Sequence, residues 1–238
     1  MSEGVRRLGT GGLLISLAAV LLLGAEAVTV GRAKATPAGP GCPHPNVIVG
    51  TTGADTLLGT PGNDLIIGGP GNDTINGLGG NDCVSGGPGR DTVQGGTGND
   101  RVRGGPGRDV TDGGSLGCCQ AGNDSVDGGP GDDTVFASDS GIQLLRGGPG
   151  DDVIQGFAGT DTAYGGPGED QVYGFSANDF LSGGTGDDRV GKGDDSGNDV
   201  MEGNTGDDTI NGGPGIDRID GGLGSDTCID GESVSRCP

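Results

Sequence analysis

One nine-residue phrase recurs between residues 46 and 229. Residues 86–94 read GGPGRDTVQ, 68–76 read GGPGNDTIN, 104–112 read GGPGRDVTD and 212–220 read GGPGIDRID. Each copy has glycine at slots 1, 2 and 4, aspartate at slot 6 and usually an aliphatic residue at slot 8. A unit this short cannot bury its own apolar residue. It must stack on its neighbours, which makes the chain a solenoid.

Composition agrees. The 238 residues include 59 glycines, no tryptophan and 3% aromatic residues, too few large side chains for an ordinary packed core. Glycine at this density makes ordering entropically expensive. The formal net charge is -21. Such a chain stays expanded unless a ligand compensates the charge. Glycine does not fall at every third position, which excludes collagen. The acidic balance excludes nucleic acid as a partner and points to cations.

Residues 1–27 read as a secretory signal peptide: Arg6 and Arg7, an apolar run over 13–23, then Ala25-Glu26-Ala27 for cleavage. Ala33-Lys34-Ala35 offers a second cleavage site, and an uncleaved anchor is the competing reading. The run is short for a membrane span, so none is expected in the mature chain. The expected location is extracellular or on the cell envelope. Residues 28–45 form a proline-bearing linker. From Thr36 onward, 9 basic and 32 acidic residues leave a charge of -23.

The slot-6 series then runs Asp55, Asp64, Asp73, Asp82, Asp91, Asp100 and Asp109, each nine residues apart. An interruption over 113–120 carries Cys118 and Cys119. Asp124 and Asp133 follow, then a degenerate unit with Gln143 at slot 6. Asp152, Asp161, Asp170, Asp179, Asp188, Asp199, Asp208, Asp217 and Asp226 complete eighteen units with aspartate and one without. Proline at slot 3 falls at 70, 88 and 106, eighteen apart, so alternate units are alike. The structural unit is thus one 18-residue coil of two nonapeptides. Slots 1–6 are turn chemistry, and slots 7–9 form a short strand with slot 8 facing inward. Stacking would set the slot-6 carboxylates in columns of like charge, with Asp132, Asp151, Asp187 and Asp207 beside them at slot 5. A hard divalent cation between turns relieves that repulsion. Calcium takes 6 to 8 oxygens, carboxylate and carbonyl alike, whereas zinc would want histidine or cysteine.

The phrase GGxGxDxUx, with U aliphatic, resembles the calcium-binding nonapeptide of the RTX (hemolysin-type) repeat family, over residues 46–229. The resemblance implies an all-β fold, a right-handed parallel β-roll or β-solenoid. It implies calcium held between each turn and the turn two repeats later. The eighteen slot-6 aspartates named above would be ligands, and Gln143 would not. Nineteen units allow at most seventeen such gaps, and the uninterrupted runs allow ten. The chain departs from the family in having an N-terminal signal and six cysteines, which favours an oxidising exterior. Residues 230–238 leave the repeat as a C-terminal cap. Cys228 sits at an inward slot, and Cys237 could fold back to it. Cys42, Cys83, Cys118 and Cys119 are left open, since six cysteines allow 15 full connectivities.

No catalytic constellation is legible. His44 is the only histidine and lies in the linker. Windows matching Gly-x-Gly-x-x-Gly lead into no helix pattern. The expectation is a non-enzymatic, secreted calcium-binding protein that folds on binding and serves as a structural or surface module. The alternatives are an adhesin or ice-binding surface, or the remnant of a secreted toxin or polysaccharide-modifying enzyme. Only Thr74-Ile75-Asn76 and Thr209-Ile210-Asn211 fit an outward Thr-x-Asn array, which counts against ice binding. Tyr164 and Tyr173, at slot 9 of consecutive repeats, are the one hint of a glycan-facing cluster. No protein or glycan partner can be named.

Overall fold

The computed structural model describes residues 46–114, 122–137, 141–191 and 196–237. The signal segment, the linker, Cys42, Cys118 and Cys119 lie outside the described residues.

The described residues contain short strands, turns and no helix. Most strands fall on slots 7–9, as in Thr74–Asn76, Thr92–Gln94 and Arg101–Arg103, and four, such as Thr162–Pro167, run on into the following turn. Successive strands alternate between two parallel sheets, one of eleven strands and one of ten. Each strand therefore pairs with the strand two repeats later, as Val84 does with Val102 and Ile75 with Val93. This is a parallel β-roll with two nonapeptides per coil. Two sheets arise because each six-residue turn reverses the chain after a three-residue strand.

The core is the slot-8 ladder. Ile66, Val93, Val102, Leu145, Leu181, Met201 and Ile219 are all fully buried in it. Slots 7 and 9 face outward, so each repeat contributes one apolar side chain to the interior. Ala163 and Thr111 occupy slot 8 in two units and are equally buried. The Thr111 hydroxyl has no hydrogen-bond partner there.

The turns explain the glycines. Gly87 and Gly89 have φ of 112° and 156°, and a Cβ on Gly89 would run into the carbonyl oxygen of Gly71 one coil earlier. Four described residues accept the same left-handed slot-2 backbone without being glycine: Leu78, Phe157, Phe175 and Asn204, with φ of 77°, 65°, 72° and 78°. Each costs on the order of 1 kcal/mol or more. Phe157 and Phe175 offset part of that by stacking, with ring centroids 5.3 Å apart and planes within 4°. The two tyrosines do not meet. Tyr164 lies in the eleven-stranded sheet against Phe180, and Tyr173 lies in the ten-stranded sheet against Phe175. Consecutive repeats face opposite ways, so slot-9 neighbours in sequence sit on opposite faces.

The chain end adds a strand. Ser233–Ser235 pairs in parallel with Arg218–Leu223 and forms the last strand of the larger sheet. A disulfide joins Cys228 to Cys237 beneath it.

Replacing Thr111 by valine should stabilise the calcium-loaded roll by about 1–3 kcal/mol, since it removes a buried unmatched hydroxyl without changing volume. Denaturant midpoints of the two proteins in saturating calcium check this. A lower midpoint for the valine form would show that the hydroxyl is bonded.

Candidate metal centre

Parallel stacking sets the slot-6 residues in two columns. One runs Asp55, Asp73, Asp91, Asp109, Asp133, Asp152, Asp170, Asp188, Asp208 and Asp226. The other runs Asp64, Asp82, Asp100, Asp124, Gln143, Asp161, Asp179, Asp199 and Asp217. Seventeen of the eighteen aspartates are buried, and Asp55, in the first turn, is half-buried.

Within a column each carboxylate uses its two oxygens differently. Oδ1 accepts the backbone N–H of the slot-6 residue one coil earlier. The Asp73 N–H donates to Asp91 at 2.8 Å and the Asp91 N–H to Asp109 at 2.8 Å. These bonds persist where the spacing stretches to 24, 19 or 20 residues, at 2.7–2.8 Å. Oδ2 turns into the loop of its own repeat. In the first two repeats a threonine at slot 2 meets it: the hydroxyls of Thr51 and Thr60 donate to Asp55 and Asp64 at 2.9 and 3.0 Å. In twelve of the later units no hydrogen bond reaches it. Oδ2 of Asp73, Asp82, Asp91, Asp109, Asp133, Asp152, Asp161, Asp170, Asp188, Asp208, Asp217 and Asp226 is buried without a hydrogen bond.

Slot-1 glycine frames the same space. A Cβ placed on Gly104 would lie 2.6 Å from Asp109 Oδ2 and 2.5 Å from the carbonyl oxygen of Gly128 in the next coil. On Gly128 the corresponding distances are 2.7 Å to Asp133 Oδ2 and 2.7 Å to the Gly147 carbonyl. A side chain at slot 1 would thus collide with a carboxylate oxygen and a carbonyl oxygen, and without one these two oxygens border a common space. The donor set is all oxygen, so the residues present fit a hard cation. They do not fit zinc.

Electrostatics point the same way. Burial raises the carboxyls of Asp73, Asp82, Asp91, Asp109, Asp133, Asp152, Asp161, Asp170, Asp188, Asp208 and Asp217, an effect opposed by the backbone N–H bond and reinforced by neighbouring carboxylates. Asp109 and Asp188 are pushed up to about 7, and Asp152 and Asp161 to about 8. For Asp161 the repulsion from Asp179 outweighs the relief from its backbone bond.

Slot-5 residues take another part. Their side chains are exposed and accept the slot-5 N–H of the following coil, as Asn81 does from Asn99 at 2.9 Å and Asp151 from Glu169 at 2.9 Å. Asp132, Asp187 and Asp207 accept in the same way. They clamp coils from outside, facing away from the hollow.

One unit is built differently. Gln143 is 1% exposed, its Oε1 accepts the Asp124 N–H at 2.6 Å, and its Nε2 donates to the Gly122 carbonyl at 3.0 Å. Slot 1 of that unit is Ala137, fully buried, where the other described repeats have glycine. Slot 1 carries a methyl group and an amide hydrogen meets a carbonyl, so this unit adds no charge to its column.

Two outcomes follow. The raised carboxyls lie above the unfolded value of about 3.9. The metal-free roll therefore holds more protons than the unfolded chain between about pH 4 and 8, and its stability falls as pH rises through that window. In chelator, circular dichroism should show more β-structure at pH 5 than at pH 8, and calcium added at pH 7 should release protons. Replacing Gln143 by Asp together with Ala137 by Gly should lower stability in chelator and add at least one bound calcium by native mass spectrometry. An unchanged count would show that this coil is closed to cations for another reason.

No curated protein matches the sequence. The RTX calcium-binding nonapeptide repeat, taken as four copies, matches residues 49–83, 85–115, 120–139, 138–172, 156–190 and 192–228. With that match over most of its length, and with the parallel β-roll its repeats build, the chain belongs to the RTX calcium-binding nonapeptide repeat family.

Proposed function

We propose that this chain is a secreted, calcium-folded structural module, with ten to seventeen ions between its stacked turns, and that it carries no catalysis of its own. The observation that carries this reading is the row of buried Oδ2 atoms without hydrogen bonds, each beside a slot-1 glycine. On this reading the slot-6 aspartates from Asp73 onward supply carboxylate oxygens, and carbonyls of slot-1 glycines supply the rest. Asp55 and Asp64 are the weaker members, because Thr51 and Thr60 already meet their Oδ2.

Binding and folding are one event on this reading. Extracellular calcium sites bind at about 10⁻⁴–10⁻³ M, so at millimolar calcium each adds on the order of 0.4–1.4 kcal/mol. Neighbouring coils share ligands, which makes the transition cooperative. Secretion fits both the millimolar calcium outside cells and the basic, then apolar, N-terminal run. Arg103 and Asp127 pair at 2.9 Å on the outer face, which supports arginines as local charge relief rather than a binding patch.

A far-UV circular dichroism titration tests the proposal. Calcium should produce a cooperative coil-to-β transition near millimolar concentration, and magnesium, with its stricter geometry, should produce little. A chain fully folded in chelator at pH 8 would overturn it.

A further inference from the structure

The repeat match ends at residue 228, and nothing after it carries the GGxGxD phrase. The last two aspartates of the columns, Asp217 and Asp226, therefore have no following repeat to supply a glycine carbonyl. Both are nonetheless buried, at 1% and 6% exposure, with Oδ2 turned into the turn and no hydrogen bond on it.

The tail stands in for the missing coil. The atom nearest a Cβ built on Gly212 is the carbonyl oxygen of Asp230, with Asp217 Oδ2 next at 2.8 Å. On Gly221 the nearest atoms are the carbonyl oxygen of Arg236 and then Asp226 Oδ2, at 2.6 Å. The hollows have the same two walls as those inside the roll, although the residues are unrelated to the motif. Glu232 adds a carboxylate. Its Oε2 accepts the Asp217 N–H at 2.7 Å, the bond that the next slot-6 side chain, an aspartate everywhere but at Gln143, accepts in earlier coils. Glu232 lies fifteen residues beyond Asp217 instead of eighteen, and its longer side chain spans the shortened turn.

The tail is also held for this task. Asp230 and Arg236 adopt φ of 53° and 50°, backbone that residues other than glycine rarely take. The Arg236 guanidinium makes two bonds to the Asp220 carboxylate, and the Cys228–Cys237 disulfide ties the end of the tail to the last repeat.

We propose that residues 230–236 complete two further calcium sites at the open end of the roll. One joins Asp217, the Asp230 carbonyl and Glu232. The other joins Asp226 and the Arg236 carbonyl. The inference rests on the calcium reading of the repeats but concerns residues outside them.

The test is the number of calcium ions bound by the full chain, counted by native mass spectrometry and by equilibrium dialysis. Three single variants are compared with the unaltered chain: Glu232→Gln, Asp226→Asn and, as a mid-roll control, Asp91→Asn. Glutamine keeps an oxygen for the Asp217 N–H, as Gln143 does for Asp124, and removes only the charge. Each variant should lose one ion while the circular dichroism in saturating calcium stays unchanged. Loss in Asp91→Asn with full counts in both Glu232→Gln and Asp226→Asn would overturn the terminal sites and leave the repeat sites standing. An unaltered chain that binds no calcium would overturn both readings.

Discussion

Everything in this molecule turns on a carboxylate asked to do two incompatible things. One oxygen of each slot-6 aspartate is bonded to the backbone of the coil before it, which knits successive turns together. The same bond drags the second oxygen into the interior and lines it up with the charges above and below. The backbone bond favours the ionised form, and burial opposes it more strongly. Left alone, the columns resist stacking. On the proposed reading, a positive charge in the hollow turns the obstacle into the adhesive, and folding becomes conditional on the surroundings.

The remaining features follow from that demand. The hollow exists only where slot 1 has no side chain, so glycine there is a requirement of shape rather than of flexibility. The core is thin, because slot 8 is the one position of each repeat whose side chain the strand turns inward. Gln143 and Ala137 show the alternative solution in miniature. An amide hydrogen meets a carbonyl, a methyl group occupies slot 1, and the unit adds no charge to its column. The chain uses this answer once among its described repeats.

Most of this was legible beforehand because period and chemistry coincide. The nine-residue spacing of aspartate, with Ile66, Val84 and Val102 two residues further on, specified strand, turn and inward face together. Alternation of proline with a period of eighteen gave the two-repeat coil. Other features could not be read. The motif does not say which carboxylate oxygen is bonded, nor that Thr51 and Thr60 meet Oδ2 in the first turns. Tyr164 and Tyr173 looked like neighbours because sequence distance hides that consecutive strands face opposite ways. The tail was set apart as a cap because Glu232 is three residues early and is not aspartate. Its place in the column shows only when side-chain length is weighed against turn length. A glutamate or asparagine one coil beyond the last motif would have been the signal to seek.

The stretched spacings have a consequence of their own. Bonds between slot-6 residues are as short across 24, 19 and 20 residues as across 18, so a turn with surplus residues leaves the described coils on either side in register. The roll keeps count in storeys rather than in residues. A segment of foreign sequence spliced into such a turn would leave the floors above and below in register. The architecture thus behaves as a scaffold with addressable balconies, each at a fixed height along the axis and each facing a known side.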